Sequence, residues 1–141
     1  MASALEVIGE KWSLLVVREC ALGVHRFDHI AKNTGAPRDI LTARLRRLEA
    51  AGVIEKRLYQ ERPERFEYHL TAAGKELRPI LLALAQWGER WAGDDNLVEW
   101  THRCGEPLDL VHMCRACGEE VRGGDVMPRY LVAPWDELSR A

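Results

Sequence analysis

The stretch that most limits how this chain can fold runs over residues 35–70 and reads GAPRDILTARLRRLEAAGVIEKRLYQERPERFEYHL. Leu41, Leu45 and Leu48 recur at i, i+4 and i+7, which puts them on one face of a helix. Pro37 suits the first helical turn, where its missing N–H costs nothing. Gly52 stands where such a helix should stop. Arg38, Thr42 and Arg46 form a second stripe on another face, each one turn from the next. Residues 53–59 then read as a strand. Residues 66–70 alternate, with Phe66, Tyr68 and Leu70 on one side and Glu67 and His69 on the other. The polar, proline-containing turn between them carries Arg62 and Arg65. Helix first and charged hairpin second is the order of a recognition helix followed by a wing.

That order points to duplex DNA. Arginine on an exposed helix face can bond guanine O6 and N7 in the major groove, and threonine can touch a thymine methyl or a phosphate. Arginines at a hairpin tip can reach flanking phosphates, which fix register and supply affinity. The helix alone equally fits a solvated amphipathic surface. Glu61 and Glu64 beside the tip arginines equally fit an ordinary charged loop.

The remaining N-terminal sequence supplies the rest of such a domain. Residues 4–7 and 12–22 read as helices broken near Gly9, the second apolar over much of its circumference and so central to a core. Residues 26–33 form a short helix, with Phe27, Ile30 and Ala31 inward and His29 and Lys32 outward. Residues 34–36 turn into the recognition helix, giving helix, turn, helix, hairpin. Thr71 is a natural N-cap for a long helix, which Pro79 should bend or break. Leu77, Ile80, Leu81, Leu84, Trp87 and Trp91 make an apolar stripe along it. The stripe suits a two-fold dimer face, since proteins of this architecture read two half-sites; it could also fold back on its own core. A cleft beside Trp87 and Trp91 is a candidate site for a small apolar effector.

Charge sharpens the expectation. The chain of 141 residues has a formal net charge of −2 and a pI near 6.2, so attraction to DNA has to come from a local patch. No apolar run approaches the length of a membrane span. The N-terminal residues lack a basic start followed by an apolar stretch, so no secretory leader and a cytoplasmic location are expected. Lasting structural disulfides are then unexpected. There is no internal repeat.

At this point the chain resembles the HxlR-type branch of winged-helix bacterial transcriptional regulators, relatives of the MarR group. The resemblance is carried by VIGEKWSLL at residues 7–15, GVHRF at 23–27, ILTARL at 40–45, LEAAG at 48–52, YQERP at 59–63 and YHLT at 68–71. It spans roughly residues 4–92 in consistent order. It implies a homodimer on a pseudo-palindromic operator, with repression the expected sense. It places Arg38, Thr42, Arg44 and Arg46 in the recognition helix and Arg62 and Arg65 in the wing. Lys11 could touch phosphate or merely solvate a helix start, and Arg44 could pair with an acid instead of DNA. Some members of this family use a cysteine near the N-terminus as a thiol switch. The first cysteine here, Cys20, falls in the apolar second helix, where an inert thiol is expected.

The tail is a second signal. Residues 102–118 read HRCGEPLDLVHMCRACG. Cys114 and Cys117 form a C-x-x-C followed by glycine, and Cys104 precedes another glycine. His102, Cys104, Cys114 and Cys117 make a natural set of tetrahedral zinc ligands, with His112 in reserve. A closed four-ligand site would be structural, leaving no open position for catalysis. A metal-free hairpin, or a redox pair of Cys114 and Cys117, fits the same residues.

The expected fold is therefore α+β and mainly helical. A winged helix-turn-helix with a long dimerisation helix covers residues 1–93, and a small zinc-ribbon-like tail covers 94–141. An enzyme is not expected. The chain has no glycine-rich phosphate loop, no suggestively placed carboxylate pair and no H-E-x-x-H, and Cys114 with Cys117 lacks a thioredoxin-like βαβ setting. The alternatives to a DNA-binding regulator are a thiol-based sensor or oxidoreductase using that pair, and an adaptor that kept the fold without the DNA.

Overall fold

A computed structural model describes residues 1–93 and 99–127. The chain divides into two compact units, Met1–Asn96 and Leu97–Ala141. Parts of the expected tail, residues 94–98 and 128–141, lie outside the described residues.

In the first unit the order is α1 (Ala2–Ile8), α2 (Lys11–Ala21), α3 (Phe27–Thr34), α4 (Arg38–Ala50), β1 (Ile54–Glu61), β2 (Glu64–Leu70), α5 (Ala72–Lys75) and α6 (Arg78–Trp91). This is the winged helix expected from the sequence. The core forms where the periodic apolar faces meet. Val16, Val17 and Cys20 come from α2, Ile30 from α3, and Leu41, Leu45 and Leu48 from α4. Val53, Ile54 and Leu70 close it from the hairpin base. Pro37 sits one residue earlier than expected, as the N-cap of α4 in an extended conformation, and the helix starts at Arg38.

The strands run further toward the tip than their apolar pattern suggested. Glu61 pairs with Glu64, which leaves Arg62 and Pro63 as the turn and puts Arg65 in β2. The register slips between Leu58 and Gln60. On the open side of β2 the Tyr68 amide donates to the His25 carbonyl at 2.9 Å, and Arg26 bridges to Glu67. The segment before α3 thus backs the wing.

After the hairpin, Thr71 caps α5 as expected, its hydroxyl oxygen accepting the Gly74 amide at 3.2 Å and donating to the Gly52 carbonyl at 2.6 Å. The helix does not continue through. It breaks at residues 76–77 and restarts as α6 with Pro79 in its first turn, because proline lacks an N–H and its ring crowds the preceding turn. No helix among the described residues is long and apolar enough to cross a membrane.

The apolar stripe of α6 divides between two surroundings. Leu77 and Leu81 pack on the core. Ile80, Leu84, Trp87 and Trp91 point away from it, at 47%, 46%, 60% and 71% exposure.

The described residues of the second unit form turns and short bridges. Thr101 bridges Pro107, and Met113 bridges Glu120. None of its described residues is buried.

Candidate nucleic-acid interface

The leucine face of α4 is fixed in the core, so the opposite face has to look outward. Arg38 and Arg46 are exposed there and Thr42 is half-exposed. The Thr42 hydroxyl donates to the Arg38 carbonyl at 2.7 Å, which occupies its proton and leaves its methyl and oxygen lone pairs outward. Arg38 is held in place before any ligand arrives. Its Nη1 bonds Asp28 at 2.8 Å and its guanidinium lies 4.8 Å from the Phe27 ring centroid. Both partners of that ion pair are well exposed. Such a pair is worth at most about 1 kcal/mol, so a phosphate or a guanine edge can compete for the arginine.

Arg44 does not join this surface. Its side chain is only 17% exposed and its Nη2 meets Glu10 at 3.2 Å, while its buried Nε has no partner among the described residues. Residue 44 falls between the outer stripe and the leucine stripe, and the turn between α1 and α2 offers it a carboxylate. Of the two readings of Arg44, contact with DNA or pairing with an acid, the structure shows the acid pairing, which ties α4 to that turn. Lys11 lies along its own helix start, with Nζ 4.6 Å from the Trp12 ring centroid.

The wing brings a second set of cations. Arg62 is exposed in the turn and Arg65 on β2. Arg26 belongs with them and was not singled out from the sequence. Its guanidinium lies 4.7 Å from the Tyr59 ring centroid and its Nε bonds Glu67 at 3.3 Å. This contact, with help from His69, holds the Glu67 carboxyl below its ordinary value. A cleft of about 360 Å³ opens between the start of α3, the start of α4 and the hairpin, and Arg26, Arg38, Arg65, Tyr59, Phe66 and Tyr68 line it. Arg38 of the helix and Arg65 of the wing thus share with Arg26 one concave surface with aromatic walls, where Asp28 and Glu64 also stand. The cue available in sequence was that Arg26 immediately precedes the first helix of the helix-turn-helix. Its partners are 33 and 41 residues away in the chain.

The cleft lies apart from the place expected for an effector. Trp87 and Trp91 stand on the open face of α6 and are not among the residues lining it.

Cys20 behaves as expected of an inert thiol. It is 3% exposed, and burial, with Glu19 beside it, pushes its pKa up to about 12. Glu19 is buried too, its carboxylate taken up by Arg18 at 2.8 Å and Asn33 at 2.7 Å.

The expected zinc ligands come together as two pairs. His102 Nδ1 lies 3.1 Å from Cys104 Sγ. Cys114 and Cys117 are in contact around a single turn. Among the described residues no three His, Cys, Asp or Glu side chains stand together as a metal site. His112 is exposed, its carbonyl accepting from the Val121 amide at 2.7 Å.

Residues 7–96 match the sequence pattern of the HxlR-like helix-turn-helix family. An uncharacterised HTH-type transcriptional regulator of Mycobacterium tuberculosis is 41% identical over 128 residues, covering 89% of this chain and 81% of that protein. The crystal structure of PA1607, described as a transcription factor, superposes with a TM-score of 0.76 at 36% identity, covering 89% of each chain. PA1374 of Pseudomonas aeruginosa, likewise described, aligns over 99% of this chain and 97% of its own with a TM-score of 0.66 at 32% identity.

Proposed function

The chain belongs to the HxlR-like helix-turn-helix family of transcriptional regulators, and from that premise we propose a homodimer that reads a pseudo-palindromic operator and represses from it. The observation that carries this reading is the shared surface of α4 and the wing. Arg38, Thr42 and Arg46, on the outward face of α4, would enter a major groove, and Arg62 and Arg65, with Arg26 nearby, would grip flanking phosphates. Arg44 supports α4 from behind through Glu10. The formal charge of −2 leaves this patch, and not the whole molecule, to attract DNA.

The outward face of α6 supports the dimer. Ile80, Leu84, Trp87 and Trp91 fall on one side at helical spacing, and two such faces can close on each other around a two-fold axis. Repression is the simpler sense, because a dimer seated on an operator that overlaps a promoter excludes other proteins by occupancy alone. A small apolar effector against Trp87 and Trp91 would act at this seam.

Fluorescence anisotropy on duplex DNA from upstream of the protein's own gene tests the reading. The expected result is binding at least about a thousandfold tighter than to a scrambled duplex. Replacing Arg38 and Arg46 together by Ala should weaken it by about thirtyfold to about twenty-thousandfold, from about 1–3 kcal/mol per base contact. Absence of binding to either duplex at low salt overturns the DNA reading, and unchanged binding by the double variant removes these arginines from it.

A further inference from the structure

The tail poses a problem that its own side chains do not solve. Its described residues form turns and bridges without burying a single side chain, and Val111, Met113, Val126 and Met127 are all exposed. A unit this small, with no apolar core among its described residues, gains most from a staple that holds one structure.

The turns that carry the cysteines are shaped for one. At the second, the Gly118 amide donates to the Cys114 carbonyl at 2.7 Å and Gly118 takes a φ of +75°, which favours glycine. The chain thereby wraps around the Cys114 sulfur. The amides of Cys117 and Ala116, and the Cys117 thiol, all point at it. At the first, the Gly105 amide donates to the His102 carbonyl at 2.9 Å, and Gly105 has a φ of +97°. The Cys104 amide also donates to His102 Nδ1 at 3.4 Å. That nitrogen faces both the Cys104 amide and the Cys104 sulfur. The nitrogen a metal would take is thus already on the cysteine side.

We propose that these two turns close on one tetrahedral zinc ion, held by His102 Nδ1 and the sulfurs of Cys104, Cys114 and Cys117. Ordinary zinc–nitrogen and zinc–sulfur bonds set those two atoms about 3.5 Å apart in a tetrahedron, against the 3.1 Å found between His102 and Cys104. That pair is therefore close to one edge of the site. The pairs are not yet joined, and the ion is what joins them, its binding supplying the folding energy that an apolar core supplies elsewhere. Entry of the ion releases the thiol protons to solvent. Three thiolates and one imidazole favour zinc, and with no open position the site is structural.

The test uses the full chain, purified reduced from zinc-supplemented cells, with metal content read by atomic emission. About one zinc per chain is expected. Exchange with cobalt(II) alone should give the intense visible bands of a tetrahedral thiolate site. Cys104→Ser, Cys114→Ser and Cys117→Ser should each lower metal affinity by at least about tenfold, and Cys20→Ser should leave it unchanged. His102→Cys should keep the tetrahedral spectrum with stronger sulfur charge-transfer bands, a result that misfolding of the tail would not produce. Well under one zinc per chain with only weak octahedral cobalt bands overturns the proposal. So does a Cys114–Cys117 disulfide recovered from the reduced, zinc-replete preparation.

Discussion

The two units of this chain solve the same problem with different means, and their cysteines record the difference. In the winged helix, Cys20 is enclosed with Val16, Val17, Ile30 and Leu41, and burial pushes its pKa up to about 12. In the tail, Cys114 lies in a turn whose amides point at its sulfur, and its pKa falls below the ordinary value. One residue type becomes inert filling in the first setting and a waiting ligand or nucleophile in the second. Where apolar area is buried, side chains lose their chemistry to packing. Where none is buried, turn geometry decides what they do.

The strongest way to break this comparison is to remove equal amounts of side chain from each unit. Leu41→Ala, at a position with no exposure, should cost about 2–5 kcal/mol in chemical denaturation followed by circular dichroism. Met113→Ala, at 55% exposure in the tail, should change stability by less than about 0.5 kcal/mol. Similar losses at both sites would mean that the tail has a core after all.

Titration sharpens the contrast between the thiols. The raised pKa of Cys20 means that the folded state keeps the thiol neutral while the unfolded chain ionises above the ordinary value of 9.0. Its stabilising contribution is therefore complete below pH 9. It is lost at about 1.4 kcal/mol per pH unit as the pH rises toward about 12. Urea melts of the native chain and of Cys20→Ala across this range should diverge by that slope, and parallel curves would refute it. In reduced, metal-free protein at neutral pH, iodoacetamide should modify Cys114 and leave Cys20 untouched, as read by mass spectrometry.

A smaller loss than at Leu41 is expected at the polar cap that joins the hairpin to α5. Thr71→Ala removes the acceptor for the Gly74 amide and the donor to the Gly52 carbonyl. It should lower the stability of the winged helix by about 1 kcal/mol, measured as a shift in denaturation midpoint. No shift would mean that water replaces both bonds.

Much of the first unit was legible because its signals are local. The i, i+4, i+7 leucines of α4, the alternation of Phe66, Tyr68 and Leu70, the threonine cap and the proline break each act within a few residues. What escaped was set by partners far along the chain. Arg44 faces Glu10, Arg38 rests on Asp28, and Arg26 reaches Tyr59 and Glu67. No helical spacing reveals such pairings. The α6 stripe was recognised, but its division into Leu77 and Leu81 on the core and Ile80, Leu84, Trp87 and Trp91 outside depends on where α2 lies. In the tail the glycine-terminated turns were readable from C-x-x-C-G and H-x-C-G. The proposed closing of one turn on the other would be a tertiary event that spacing does not encode.

Gly74 gives the joint between hairpin and α6 its dimensions. A Cβ at this position would fall 2.1 Å from the Val53 carbonyl oxygen, so the backbone of α5 rests directly on the base of the hairpin. The residue works as a gauge block with no spare thickness. Any larger side chain there resets the distance between the wing and the helix that follows it without touching a single charge on the DNA-facing side.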